Sequence, residues 1–159
     1  MTDERNRKLR VSPFGPGEPE CEAAMLEVLE TMFFELPEDE ASLLDTPPEE
    51  PIAATALFGG DMQGSLCVAA GPWAARRLAA SFLGREDEST ITEAEVRLVA
   101  CEMANMVCGN ALSRIEPHGS FRIATPEIGP PAGTERGWLT FPLEAGAIAM
   151  SLHVAEQKC

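Results

Sequence analysis

The chain has 159 residues and a formal net charge of −14, from 26 acids against 12 bases. That length suits one domain, which buries about 70% of its unfolded surface and needs no metal or disulfide staple. The acid excess argues against sequence-independent nucleic-acid binding and against docking on an anionic membrane face, both of which depend on cations. At 45% hydrophobic and 24% charged residues, the composition is globular rather than disordered.

Met1 to Arg10 is polar and basic with no apolar core behind it, unlike a secretory signal. No run approaches the roughly 18 apolar residues of a membrane span, so a soluble, cytoplasmic chain is expected. Residues 1–18, with Arg5, Arg7, Lys8 and Arg10 ahead of Pro13, Gly15, Pro16 and Gly17, read as a flexible leader, and 19–159 as a single domain. Five cysteines (Cys21, Cys67, Cys101, Cys108, Cys159) contain no C-x-x-C pair. They read as free thiols of a reducing compartment, with metal or redox use as the alternative.

From Pro19 to Phe34, Cys21, Ala24, Met25, Val28, Leu29 and Met32 recur at helical spacing, while Glu20, Glu22, Glu27 and Glu30 lie off that stripe. Glu35–Pro51 holds seven acids and four prolines and reads as a solvated connector, with a short helical turn around Ala41–Leu44. The apolar runs Ile52–Phe58 and Gly64–Ala70 flank Gly59-Gly60-Asp61-Met62-Gln63, a hairpin signal. Pro72 opens a helix that Gly84 closes. Thr92, with Glu95 three residues later, starts the longest helix through a capping box, and the pattern runs to about Arg114. Ser120–Thr125, Trp138–Leu143 and Ala147–Val154 then alternate as strands. The order α-β-β-α-α-β-β-β, with short turns between strands, predicts an α+β fold: a mostly antiparallel sheet with helices packed on one face. The apolar last strand is placed at an edge, where a second copy would cover it as a homodimer.

At about 100° per residue, Val96, Ala100, Met103, Val107 and Ala111 form the core stripe of the long helix. Leu98, Glu102, Asn105 and Gly109 fall on nearly the opposite side. Glu102 and Asn105, an E-x-x-N pair, therefore project side by side toward solvent. Gly109 costs a helix roughly 1 kcal/mol relative to alanine, and close approach of another backbone would be a reason for it. Spacing alone favours plain solvated surface over a functional role for both polar residues. His118 and His153 lack partners at ligand spacing, and no G-x-S-x-G elbow or phosphate-binding loop is present.

Glu102-Met103-Ala104-Asn105-Met106-Val107-Cys108-Gly109-Asn110-Ala111 resembles the signature helix of the CheC/CheX/FliY chemotaxis phosphatases, most closely the CheX type, in which Gly-Asn follows the E-x-x-N asparagine by four residues. The helix ending Leu29-Glu30-Thr31-Met32-Phe33-Phe34, the glycine hairpin, the helix closed by Gly84 and Ala124-Thr125-Pro126 agree with it. The resemblance implies hydrolysis of the aspartyl phosphate on a CheY-like response-regulator receiver domain in chemotaxis or two-component signalling. Glu102 would anchor a receiver lysine and Asn105 would orient the attacking water, with Leu98, Met106 and Gly109 bordering them. Mg²⁺ is expected in the receiver, and no cofactor or metal of the chain's own. Many relatives carry Asp or Ser where Leu98 stands. The CheC type has a second motif on its first helix; the matching face here reads Ala23, Glu27, Glu30 and Phe34, which offers no amide. A non-catalytic receiver-binding adaptor, or a flagellar-switch-related module using the same helix face, is the alternative.

Overall fold

The structure is a computed structural model that describes residues 17–131 and 137–155. Residues 1–16 of the expected leader, and Cys159, lie outside the described residues. Helix α1 spans Glu18–Met32, strand β1 Ser42–Leu44, β2 Ile52–Gly60 and β3 Gly64–Ala70. Helix α2 spans Pro72–Leu83 and α3 Glu93–Ile115; the last strands are β4 Phe121–Ile123, β5 Glu127–Ile128, β6 Trp138–Leu143 and β7 Gly146–Val154.

The strands form one antiparallel sheet in the order β1-β6-β7-β3-β2-β4, with β5 also paired to β2. In the β2–β3 hairpin, a Cβ on Gly60 (φ +121°) would lie 2.3 Å from the Ser120 carbonyl oxygen. One on Gly64 would lie 2.0 Å from that of His153, so both turn positions exclude any side chain. Leu66, Val68, Ala70, Ile148, Met150, Leu139 and Phe141 face the helices and meet Met25, Leu29, Leu78, Met103 and Val107 in the main core. A smaller buried cluster, Ala53, Cys67, Ala69, Trp138 and Ala149, involves alternate residues of the same strands, as the pleat requires.

Three expectations are corrected. Ala41–Leu44 is not a helical turn: Ser42–Leu44 pairs with Trp138–Thr140 and forms a sheet edge. The final strand is not an edge: β7 lies between β3 and β6, with its ladder bonds used on both sides, and a second copy cannot pair with it. The run 120–125 is also shorter than its alternation suggests. Only Phe121–Ile123 pairs as β4, opposite Phe58–Gly60, and the chain returns to β2 as β5 after Pro126.

The connector 35–51 is tied down at its start. Glu35 is buried, its N–H bonds the Leu29 carbonyl, and its carboxylate accepts from Arg77 Nε at 3.1 Å. Arg77 also reaches Glu144 at 2.8 Å, so one guanidinium links the exit of α1, helix α2 and the β6–β7 turn.

Candidate functional site on helix α3

Helix α3 begins as its sequence requires. Thr92 Oγ1 accepts from the Glu95 N–H while the Glu95 carboxylate accepts from the Thr92 N–H. Arg85 clamps Glu95 from outside, and these bonds hold the Glu95 carboxyl below its usual range. Val96, Val99, Met103, Val107 and Ala111 are buried against the sheet, so one long face is fixed inward along the helix.

The opposite face carries the residues expected there. Leu98 is 60% exposed. Glu102 and Asn105 are exposed, and Met106 and Gly109 are half-buried beside them. Among the described residues, neither Glu102 nor Asn105 has a side-chain hydrogen bond or ion pair. Glu95, Asn110 and Arg114 of the helix are engaged, whereas Glu93, Arg97 and Ser113 also stand without a side-chain partner among the described residues. Asn110 Oδ1 accepts from Arg114 Nε at 2.6 Å, and Arg114 also pairs with Glu27 of α1. Sequence spacing did not show this clasp, because its partners are 87 residues apart.

The clasp residues help line a groove of about 530 Å³ between α1 and α3, together with Val28, Thr31, Met32, Met106, Gly109 and Ser113. A Cβ on Gly109 would meet only Ile123 Cδ1, at an ordinary 3.7 Å. Internal packing therefore does not require glycine there. On α1, Glu27 is spent on Arg114, and Phe34 lies beyond the helix end; the E-x-x-E face expected there is not a free second motif.

Cys21 and Cys108 are buried free thiols, and burial pushes each up to about 12. Burial first, then the neighbouring Glu102 carboxylate, also raises Cys101. His118 is exposed in a turn and His153 exposed on β7. Among the described residues no three His, Cys, Asp or Glu side chains converge as metal ligands, and no helix is long and apolar enough to cross a membrane.

The fold is similar to chemotaxis protein CheX from Vibrio vulnificus, with a TM-score of 0.69 and 19% identity over 89% of this chain and 98% of that one. CheX from Desulfovibrio desulfuricans superposes with a TM-score of 0.67 and 18% identity, over 87% and 99%. A chain of the CheX–CheY–BeF3–Mg²⁺ complex from Borrelia burgdorferi gives 0.65 and 16%, over 92% and 100%. No curated protein matches in sequence. The sequence model of chemotaxis phosphatase CheX matches residues 52–134, more than half of the chain and including the whole of α3. An α+β fold of the expected order, with the E-x-x-N helix inside the matched segment, leaves one assignment: the chain belongs to the CheX chemotaxis phosphatase family.

Proposed function

We propose that this chain hydrolyses the aspartyl phosphate of a phosphorylated CheY-like receiver domain. The observation that carries the reading is that Glu102 and Asn105 stand exposed and unengaged on α3, while Glu95, Asn110 and Arg114 of the same helix are bound to neighbours. Two unpartnered polar groups three residues apart on a helix packed along its other face form a rigid two-pronged probe.

In this reading Glu102 pairs with a lysine of the receiver and fixes the helix against it. The Asn105 carboxamide then holds a water in line with the phosphorus: its carbonyl oxygen accepts from the water and its NH₂ donates toward a phosphoryl oxygen. Phosphoryl transfer needs positioning and charge stabilisation more than covalent help from the protein. Mg²⁺ is assigned to the receiver, in keeping with its presence in the related CheX–CheY complex. Leu98 makes the approach surface more apolar.

The test follows phosphate release from a receiver charged by a small-molecule phosphodonor. Asn105→Ala is expected to lose about 10²-fold or more in kcat, the scale of removing one well-placed polar group. Glu102→Ala is expected to raise KM first. An Asn105→Ala protein as fast as wild type overturns the mechanism. Receiver binding without any acceleration by the wild type selects the adaptor reading, which the exposed Leu98 favours.

A further inference from the structure

The sequence sets a block of its cations ahead of the acidic domain. Four of the 12 bases, Arg5, Arg7, Lys8 and Arg10, lie within residues 1–16, with only two of the 26 acids, Asp3 and Glu4. That segment carries +2, and the rest of the chain, with 24 acids against 8 bases, carries −16. Its point of attachment is fixed. Gly17 caps α1 in a left-handed conformation at φ +99°, and its carbonyl accepts from the Cys21 N–H at 2.8 Å. A Cβ on Gly17 would meet Ile115 Cδ1 at 3.0 Å. The chain therefore enters α1 against the last residue of α3, beside Arg114, which is a wall residue of the α1–α3 groove.

The groove suits a segment of this composition. Val28, Met32 and Met106 give it an apolar lining. Glu30 stands exposed on α1, three residues from the wall residue Glu27 and so on the same side of the helix. Unlike Glu27, it has no ion pair among the described residues, and the last turn of α1 contains no base. The partial negative charge of a helix C-terminus adds to that of Glu30, so this rim favours a cation. Length allows the preceding segment to supply one. An extended chain advances at most about 3.5 Å per residue, so Lys8 can lie roughly 30 Å from Gly17. Glu30 is only about 20 Å along α1 from the same point.

We propose that residues 7–12 of the same chain occupy the α1–α3 groove, with Leu9 and Val11 on its apolar lining and Lys8 and Arg10 against Glu30. Pro13 disfavours helical backbone at Ser12 and so favours an extended approach. Alternation along an extended segment puts Leu9 and Val11 on one side and Lys8 and Arg10 on the other. Attachment at Gly17 makes the contact intramolecular, at an effective concentration in the millimolar range, so a few weak interactions hold it. Filling the groove from within also hides its apolar lining from other chains. The contact is independent of the phosphatase reading above.

Lys8 and Lys158 are the two lysines of the chain, which makes the contact readable by zero-length coupling. The full chain, alone in solution, is treated with a water-soluble carbodiimide that joins a lysine amine to a touching carboxylate, and the monomer is mapped by mass spectrometry. At about 0.02 M salt the Lys8–Glu30 link is expected to dominate the Lys8 products. It is expected to fall at least fivefold at about 0.5 M salt, where charges are screened beyond about 5 Å. Leu9→Ser combined with Val11→Ser is expected to lower it by a similar factor at low salt. Neither residue contributes to the core of the described residues, so a lost link cannot be charged to unfolding. Lys8 links spread evenly over acids such as Glu38, Asp39, Glu40 and Glu86, or no Lys8 link at all, overturn the proposal. A Lys8–Glu30 link that the double serine variant leaves unchanged also overturns it, since charge alone would then account for the contact. Links between isotopically light and heavy copies, in place of links within one, assign the groove to a second copy and overturn it as well.

Discussion

Glu102 and Asn105 owe their availability to angular position: the 100° step from the buried stripe leaves them facing water. Gly109 shares that face, and its neighbours leave space for a methyl group. Gly109→Ala is therefore expected to stabilise the chain by about 1 kcal/mol, the helix-propensity difference, measured as a higher urea midpoint. Receiver affinity is expected to fall in the same variant if a partner backbone uses the notch. A destabilised Gly109→Ala would mean that glycine serves the helix pair itself. The identity and spacing of these residues were legible in the chain. Whether their side chains were already bound to others was not, because the Asn110–Arg114–Glu27 clasp joins two helices far apart in sequence.

The elements divide by how locally their reasons are written. Helix α3 carries its own start signal in Thr92 and Glu95, and α2 runs from Pro72 to Gly84 as its ends require. Strands β1 and β5, three and two residues long, have no local period to read; pairing partners on β6 and β2 make them strands. The exit of α1 is likewise held from a distance, by Arg77. Arg77→Ala is expected to lower stability by about 1–2 kcal/mol, because it leaves the Glu35 carboxylate buried without its cation. The figure stays below that of a fully buried pair because the Arg77 side chain is 35% exposed. Urea unfolding measures it; a loss below a few tenths of a kcal/mol would show that Glu35 re-solvates.

Among the described residues, most acids sit where water reaches them, but the thiols of Cys21, Cys67 and Cys108 do not. Cys21 and Cys108 are held up to about 12 by burial, against roughly 8.5 in the unfolded chain. Folding therefore favours their neutral form. Their contribution is complete below about pH 8.5 and is lost as pH rises from there toward 12, since only the unfolded chain releases the proton. Stability is expected to fall with pH over that window, and Cys108→Ala, though less stable at pH 7, to show a shallower fall. Equal slopes in urea titrations of the two proteins at pH 7.5 and 10 would contradict this. A reagent for thiols is expected to modify half-buried Cys101 before buried Cys21, Cys67 or Cys108.

Taken by itself, the sequence determined the class of fold, the span of each helix, the hairpin and the outward E-x-x-N pair, because each depends on periodicity, caps or turn residues within a few positions of one another. The apolar run Ala147–Val154 shows the limit. Its composition suits an edge or a centre equally, and the ladders to β3 and β6 place it in the centre. Tertiary structure alone decided the sheet order, the β1 edge, the engagement of Glu27 and Glu35, and the exposure of Phe34. Each is a contact or backbone angle imposed by residues dozens of positions away, for which the local sequence holds no signal.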